Sequence, residues 1–261
     1  MYKGFYNLTS AMLTHQHNLN VIGNNMVNIS TSGYKQERYV ATTFDDVMYS
    51  RVTVNESGGT EIGRQSYIRA ASDIYTDYSQ GIPEPTELPL DFAIVGDGFF
   101  AVQDPEGNVA YTRMGNFCLD DEGYLCLPGF GQVLDPQSQP IYLGTDKIRG
   151  DGRGVIYFDQ PPEQGGGTAI GQLGVFSFED NLALERNDRG LFTGEGARQS
   201  EDFEIWNKYL ERSNTDMVKQ MTEMITYQRA LQSAAQVTKM YDQLMTKATG
   251  EVGRFASGGS L

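Results

Sequence analysis

The chain has 261 residues, enough for one large core or two smaller ones, and its 30 glycines and 15 tyrosines lean towards sheet and turn. A formal net charge of −14 argues against non-specific binding to nucleic acid or anionic membrane, both of which need a basic face. No apolar run approaches the roughly 20 residues of a membrane helix, Phe92-Ala93-Ile94-Val95 being typical of the longest.

The N-terminus lacks the basic, apolar and small-residue regions of a cleavable secretory signal, so the protein is expected to stay in the cytoplasm or to leave by a route that reads none. Charge is unevenly placed. From Gly4 to Tyr34 there is no Asp, Glu, Lys or Arg, whereas residues 36–208 carry 29 acidic and 12 basic side chains. From Tyr209 to Met245 the signs balance. The ends and the middle are different kinds of object.

The first segment reads as a long amphipathic helix. Phe5, Met12, Leu19 and Met26 recur every seven residues, and Leu8, His15, Ile22 and Ile29 follow three residues after each, a heptad suited to helix-on-helix packing. Ser30-Thr31-Ser32 and Gly33 are expected to stop it, with Gly33 taking the left-handed conformation that closes a helix. The outer face carries Asn, Gln, Ser, Thr and His where a monomer's surface helix shows Lys and Glu. Uncharged polar groups are buried at lower cost than charges when each finds a hydrogen bond. The helix therefore reads as surrounded by protein, in many packed copies; an ordinary core-facing helix with a neutral outer face is the alternative.

The middle changes to a period of two, cut often by glycine. Residues 91–95, 99–102 and 109–113 read as strands, the first two separated by Gly96-Asp97-Gly98 as a tight turn. Residues 117–119 and 124–127 flank Asp121-Glu122-Gly123, a hairpin loop with Gly where positive φ is wanted. Residues 132–134, 154–158 and 173–178 complete the set, and 161–167 read as a surface loop. Many short strands predict a sandwich or barrel-like sheet domain. A second heptad helix follows, with seam Met217, Gln220, Met224, Tyr227, Leu231, Ala234, Thr238, Tyr241, Met245, and Asn214 as its expected N-cap. Each helix is expected to be roughly 40–45 Å long.

The fold class expected is therefore α+β. Residues 1–34 and 210–250 form a terminal helical coiled-coil domain, 35–75 an extended or β connector, 76–209 a β-rich outer domain and 251–261 a flexible tail.

Three stretches carry a resemblance. Residues 22–35, Ile-Gly-Asn-Asn-Met-Val-Asn-Ile-Ser-Thr-Ser-Gly-Tyr-Lys, closely resemble the signature of bacterial flagellar basal-body rod proteins. Residues 89–100, Pro-Leu-Asp-Phe-Ala-Ile-Val-Gly-Asp-Gly-Phe-Phe, are similar to the family's second hallmark, continued by Ala110-Tyr111-Thr112-Arg113-Met114-Gly115-Asn116-Phe117. The third is Glu211-Arg212-Ser213-Asn214-Thr215-Asp216 with Tyr227-Gln228-Arg229-Ala230 downstream. The length resembles the distal-rod and proximal-rod subunits, with 48–62 as a short connector that leaves the two open.

The resemblance implies a structural subunit exported without a cleavable signal through the flagellar type III apparatus. It would polymerise with itself, and with other rod and hook subunits, into a hollow helical drive shaft outside the cytoplasm. Its terminal helices would form an inner layer. Phe5, Leu8, Met12, Leu19, Ile22, Met26 and Ile29 are expected to pack against Met217, Met224, Tyr227, Leu231, Ala234, Tyr241 and Met245, within or between subunits. Asn24, Asn25 and Asn28 match the signature, their amides bonding to neighbouring backbone or only capping a helix end. A hook or hook-junction subunit is the neighbouring alternative, and a carbohydrate-binding or hydrolytic β-domain with a helical anchor the distant one.

Signals for chemistry are weak, and no catalytic residue, metal, cofactor or small-molecule substrate is expected. His15 and His17 sit two apart on a helix and point away from each other. Asp120-Asp121-Glu122-Gly123 lacks the EF-hand spacing, and Gly165-Gly166-Gly167 lacks the strand-to-helix setting of a phosphate loop. Cys118 and Cys126 lie equidistant from Glu122, so the hairpin places them opposite one another. That permits a disulfide in an oxidising compartment, or two reduced, half-buried thiols.

Overall fold

The computed structural model describes residues 2–43, 47–51, 60–65, 69–159, 169–187, 190–200 and 202–257. The loop expected at 161–167 and the last four residues lie outside them, as does the middle of the 48–62 connector. The chain divides into two compact units. One contains residues 1–26, 37–75 and 217–261; the other contains 27–36 and 76–216. They are called the helical and the β unit below.

The helical unit holds two long helices, α1 (Tyr2–Val27) and α2 (Met217–Ser257). α1 satisfies part of its polar surface by itself: Thr9 and Thr14 hydroxyls donate to the carbonyls of Phe5 and Ser10, and the Asn18 amide to that of Thr14. Thr222, Thr226, Thr238, Thr246 and Thr249 do the same along α2, a bond that lets a hydroxyl sit mid-helix without an outside partner. α1 ends at Val27, earlier than expected, because the amide of Thr31 turns back to the Asn28 carbonyl. Gly33 does adopt positive φ, at +68°, but in the turn beyond the helix and not as its closing residue. The described residues between 37 and 76 are paired strands: Glu37–Thr43 with Arg69–Thr76, and Val47–Arg51 with Thr60–Gln65.

Two expectations for α2 fail. The helix does not stop near 250 but runs 41 residues to Ser257, about 62 Å at 1.5 Å per residue, so 251–257 are helix and not tail. Asn214 is not its N-cap, because that side chain is spent on the β unit.

The β unit is built on a nine-stranded sheet. Its central strand, Phe99–Gln103, pairs antiparallel with Val109–Thr112 on one side. The other side is shared between Gly131–Val133 and Val175–Ser177. The path ends on unpaired edges, Glu185–Arg186 and Cys118–Leu119, so the sheet is open and the barrel-like expectation is not met. Phe92–Gly96 and Phe99–Gln103 do not form a hairpin across Gly96-Asp97-Gly98. The former pairs with Phe203–Asn207 in a separate ladder, Ile94 opposite Ile205. A three-stranded sheet of Ile148–Gly150, Val155–Phe158 and Ala169–Gln172 and a short ladder between Pro83–Pro85 and Tyr209–Glu211 complete the unit. Phe92, Ile94, Phe100, Leu125, Ile156 and Leu173 meet in one core, with Phe99, Tyr111, Phe178 and Phe192 stacked edge-on beside it.

Candidate assembly interface

The shielded positions of α2 are Gln220, Glu223, Met224, Tyr227, Ala230, Leu231, Ala234, Thr238, Tyr241 and Met245, a stripe at heptad spacing. Of the seam expected there, only Met217, the first helical residue, is exposed. On α1, Ile22 is buried and Leu8, Met12, Leu19 and Met26 are half-buried, while Phe5 is exposed; Ile29, also half-buried, lies past the end of the helix. Contacts that join the helices include the Thr238 hydroxyl to Met12 Sδ at 3.7 Å, the His15 and Tyr227 rings 5.7 Å apart, and Asn25 Nδ2 to Gln220 Oε1 at 3.4 Å. Low numbers on α1 meet high numbers on α2, so the two run antiparallel.

Asn25 and Gln220 are fully buried. The Asn25 amide donates to the Glu37 carbonyl at 2.8 Å, and the Glu37 amide returns a bond to Asn25 Oδ1 at 3.0 Å. This two-pronged clamp fixes where the chain leaves α1 and begins its first strand. Asn28 accepts from the Thr31 hydroxyl at 3.3 Å, a helix-end bond, and Asn24 is exposed.

Both helices carry a second apolar face that none of the described residues covers. On α2 it comprises Val218 (74% exposed), Met221, Ile225, Met240 and Leu244 (66% exposed). At 100° per residue, Val218 and Ile225 lie roughly opposite the seam of Met224, Tyr227 and Leu231. On α1, Tyr6 (61%), Leu13 and Val27 (78%) are exposed at multiples of seven residues. Scattered exposed apolar side chains are ordinary; a row at helical spacing is a packing surface.

In the β unit, the three segments that carry the family resemblance converge on Glu211. Its carboxylate accepts from Lys35 Nζ at 2.7 Å, from the Gly81 amide at 2.7 Å and from Arg113 Nη1 at 3.3 Å. Lys35 also donates to the Ser79 carbonyl, and Arg113 Nη2 to that of Gly96. All three charged side chains are buried. Desolvation lowers both Lys35 and Arg113 from their ordinary values, against the opposing pull of the Glu211 charge. The same segments exchange backbone bonds. The Gly33 amide donates to the Glu211 carbonyl at 2.7 Å, and the Gln36 amide to Asn214 Oδ1 at 2.8 Å. Asn214 Nδ2 donates to the carbonyls of Asp77 and Ser79. A Cβ on Gly33 would fall 2.3 Å from the Arg113 carbonyl carbon, and one on Gly81 1.8 Å from the Arg212 oxygen, so these crossings need glycine.

Lys35, Arg113 and Glu211 had no role in the sequence reading. The available signal was that Lys35 is the first charge after an uncharged run and that Arg113 and Glu211 lie inside the other two motifs.

Among the described residues the remaining polar groups do not converge on one site. His15 lies against Tyr227, and His17 stacks on Tyr39 at 5.4 Å. Among the described residues no group of three or more His, Cys, Asp or Glu is placed to hold a metal ion, and no helix is long and apolar enough to cross a membrane. Gly123 has the positive φ the hairpin needs, +90°. It brings Cys118 directly opposite Cys126, both half-buried, unbonded and with sulfurs 3.2 Å apart.

Comparison with known proteins agrees with this arrangement. Residues 5–35 match the family described as flagella basal body rod protein, 93–157 the flagellar hook protein FlgE/F/G D1 domain, and 207–251 the flagellar basal body rod FlgEFG protein C-terminal. The flagellar basal-body rod protein FlgG of Bacillus subtilis is 31% identical, over 94% of this chain and 97% of its own. FlgG of Caulobacter vibrioides is also 31% identical, over 93% and 96%. The flagellar hook-basal body complex protein FlhO of Bacillus subtilis is 26% identical, over 97% and 100%.

Proposed function

We infer the working of this subunit from one premise: the chain belongs to the bacterial flagellar basal-body rod protein family. It is a structural subunit of the flagellar rod, located in the basal body. Copies of the chain polymerise into a hollow helical shaft that passes torque from motor to hook. The second apolar face of the two helices carries this reading. Within one chain, α1 and α2 cover only the seam. Val218, Ile225 and Leu244 on α2, and Tyr6, Leu13 and Val27 on α1, are left for the helices of neighbouring copies, so that an inner layer of coiled-coil packing forms only on assembly.

Export through the flagellar type III apparatus, contacts with other rod and hook subunits, and a place outside the cytoplasm follow from the same reading. The β unit is closed by its own core and by the Glu211 cluster. A hook or hook-junction placement is not favoured, since the FlgG relatives that match along most of this chain are rod proteins.

The test is to replace the native copy with a Val218→Ser/Ile225→Ser variant and image isolated basal bodies. Rods that stop short while the purified subunit folds normally support the reading. Full-length rods and normal motility would overturn it.

A further inference from the structure

Cys118 sits on the two-residue strand Cys118–Leu119, the outermost of its sheet, held by two register pairs, Leu119 with Leu125 and Cys118 with Cys126. Directly opposed residues of an antiparallel pair have Cα atoms roughly 4.5–5.5 Å apart, inside the roughly 4.4–6.8 Å that a disulfide spans. The sulfurs already touch at 3.2 Å. The turn between them is rigid. The Asp120 carboxylate accepts from the amides of Tyr124 at 2.8 Å and Glu122 at 3.1 Å, and from Gln132 Nε2 at 3.4 Å. Cys126 and Asp120 line an open groove of about 650 Å³, together with Gln103, Phe130 and Gln132. A small reagent therefore has a path to Cys126, and Cys118, itself only half-buried, touches it.

We propose that Cys118 and Cys126 are a redox site, which a small-molecule or protein disulfide oxidant converts into a cross-strand staple on this edge of the β unit. One thiol loses its proton to solvent and attacks a sulfur of the oxidant, R–S–S–R, forming a mixed disulfide and expelling one RS⁻. The second thiol loses its proton and attacks the protein sulfur of that mixed disulfide, expelling the second RS⁻. The protein gives up two electrons and two protons, and the oxidant leaves as two R–SH. Burial and the adjacent Cys118 push the Cys126 thiol up to about 12, so Cys126 suits the resolving role better than the first attack. The staple ties a two-residue edge strand to its neighbour.

The inference does not rest on the rod reading, and its test uses no flagellar readout. Purified full-length protein is incubated with oxidised glutathione at mildly alkaline pH and followed by thiol titration and intact mass. The expected result is loss of both thiols together, a mass lower by two hydrogens, no retained glutathione and no dimer. Proteolytic cleavage after Glu122 should leave the two fragments joined until a reductant is added. The folded protein should close the bridge on the order of tenfold or more faster than the same chain in denaturant, since the fold holds the sulfurs together. Cys126→Ser protein should keep one glutathione on Cys118, with no second sulfur to release it. Two thiols that persist in the folded protein and react only after unfolding would overturn the proposal, as would a stable glutathione adduct on the wild type.

Discussion

In the β unit, Phe92, Phe100, Ile94, Leu125, Leu127, Leu134, Ile156 and Leu173 all expose less than 2% of their surface. In the helical unit, the buried residues among those described are Val21, Ile22 and Ala234 with Thr14, Asn25 and Gln220. Half of that second set is polar. The β unit takes this core out of water by itself, which is where folding free energy comes from, and leaves Ile82, Leu88, Tyr142 and Leu182 exposed as scattered side chains. The helical unit leaves a row of Val, Ile, Met and Leu in water along α2. A fold that is finished in one half and unfinished in the other stores its stability in the first and its capacity to assemble in the second.

The sharpest way to break that comparison is to damage the β unit. Glu211→Ala leaves Lys35 and Arg113 buried without their shared counter-charge, and should cost about 3–5 kcal/mol in urea unfolding of the isolated subunit. Phe100→Ala should cost a similar amount, about 3–5 kcal/mol, by opening a cavity in the core. A midpoint within error of wild type for either would show that the unit does not depend on its cluster or its core. In the helical unit, Leu19→Ala should cost only about 1 kcal/mol by the same measurement, since Leu19 is half-buried and a fully buried leucine costs roughly 2–5 kcal/mol. A larger loss would mean that the seam is already complete in one chain.

A weaker effect should come from pH. The Tyr124 amide bond, with help from Gln132 and Glu122, holds the half-buried Asp120 carboxyl below its usual range. A depressed folded value adds stability that is present above the usual carboxylate range and lost as pH falls through the folded one. Hydrogen exchange at the Tyr124 amide should therefore speed up on acidification, relative to the rest of the sheet. Asp120→Asn should flatten that dependence; an unchanged profile would rule this bond out as its cause. The smallest effect on the isolated subunit is expected for Val218→Ser/Ile225→Ser, within about 0.5 kcal/mol of wild type, although assembly should be lost.

The seam of α2 was legible in the sequence because a heptad is local: each of Gln220, Met224, Tyr227, Leu231, Ala234, Thr238, Tyr241 and Met245 follows from the one before. The strands at Phe92–Gly96, Phe99–Gln103 and Val109–Thr112 were legible for the same reason, from runs bounded by glycine. What was hidden depended on distant partners. No local pattern says that Phe92–Gly96 pairs with Phe203–Asn207 instead of its neighbour across Gly96-Asp97-Gly98. Asn214 has the right chemistry for an N-cap, but its amide is taken by the carbonyls of Asp77 and Ser79. The length of α2 runs against local propensity, since Gly250 and Gly253 each cost a helix roughly 1 kcal/mol relative to Ala, yet the helix runs through both. The Glu211 cluster needed three segments brought together, so its charges were visible as motif residues and not as a site.

The most direct test of the central claim is a helical reconstruction of the assembled rod by electron cryomicroscopy, at a resolution that shows side chains. The account predicts that Val218, Ile225 and Leu244, with Tyr6 and Leu13, lie buried between neighbouring copies while the β unit keeps the core described above. Finding that row facing the central channel or bulk water, with copies joined only through their β units, would contradict it.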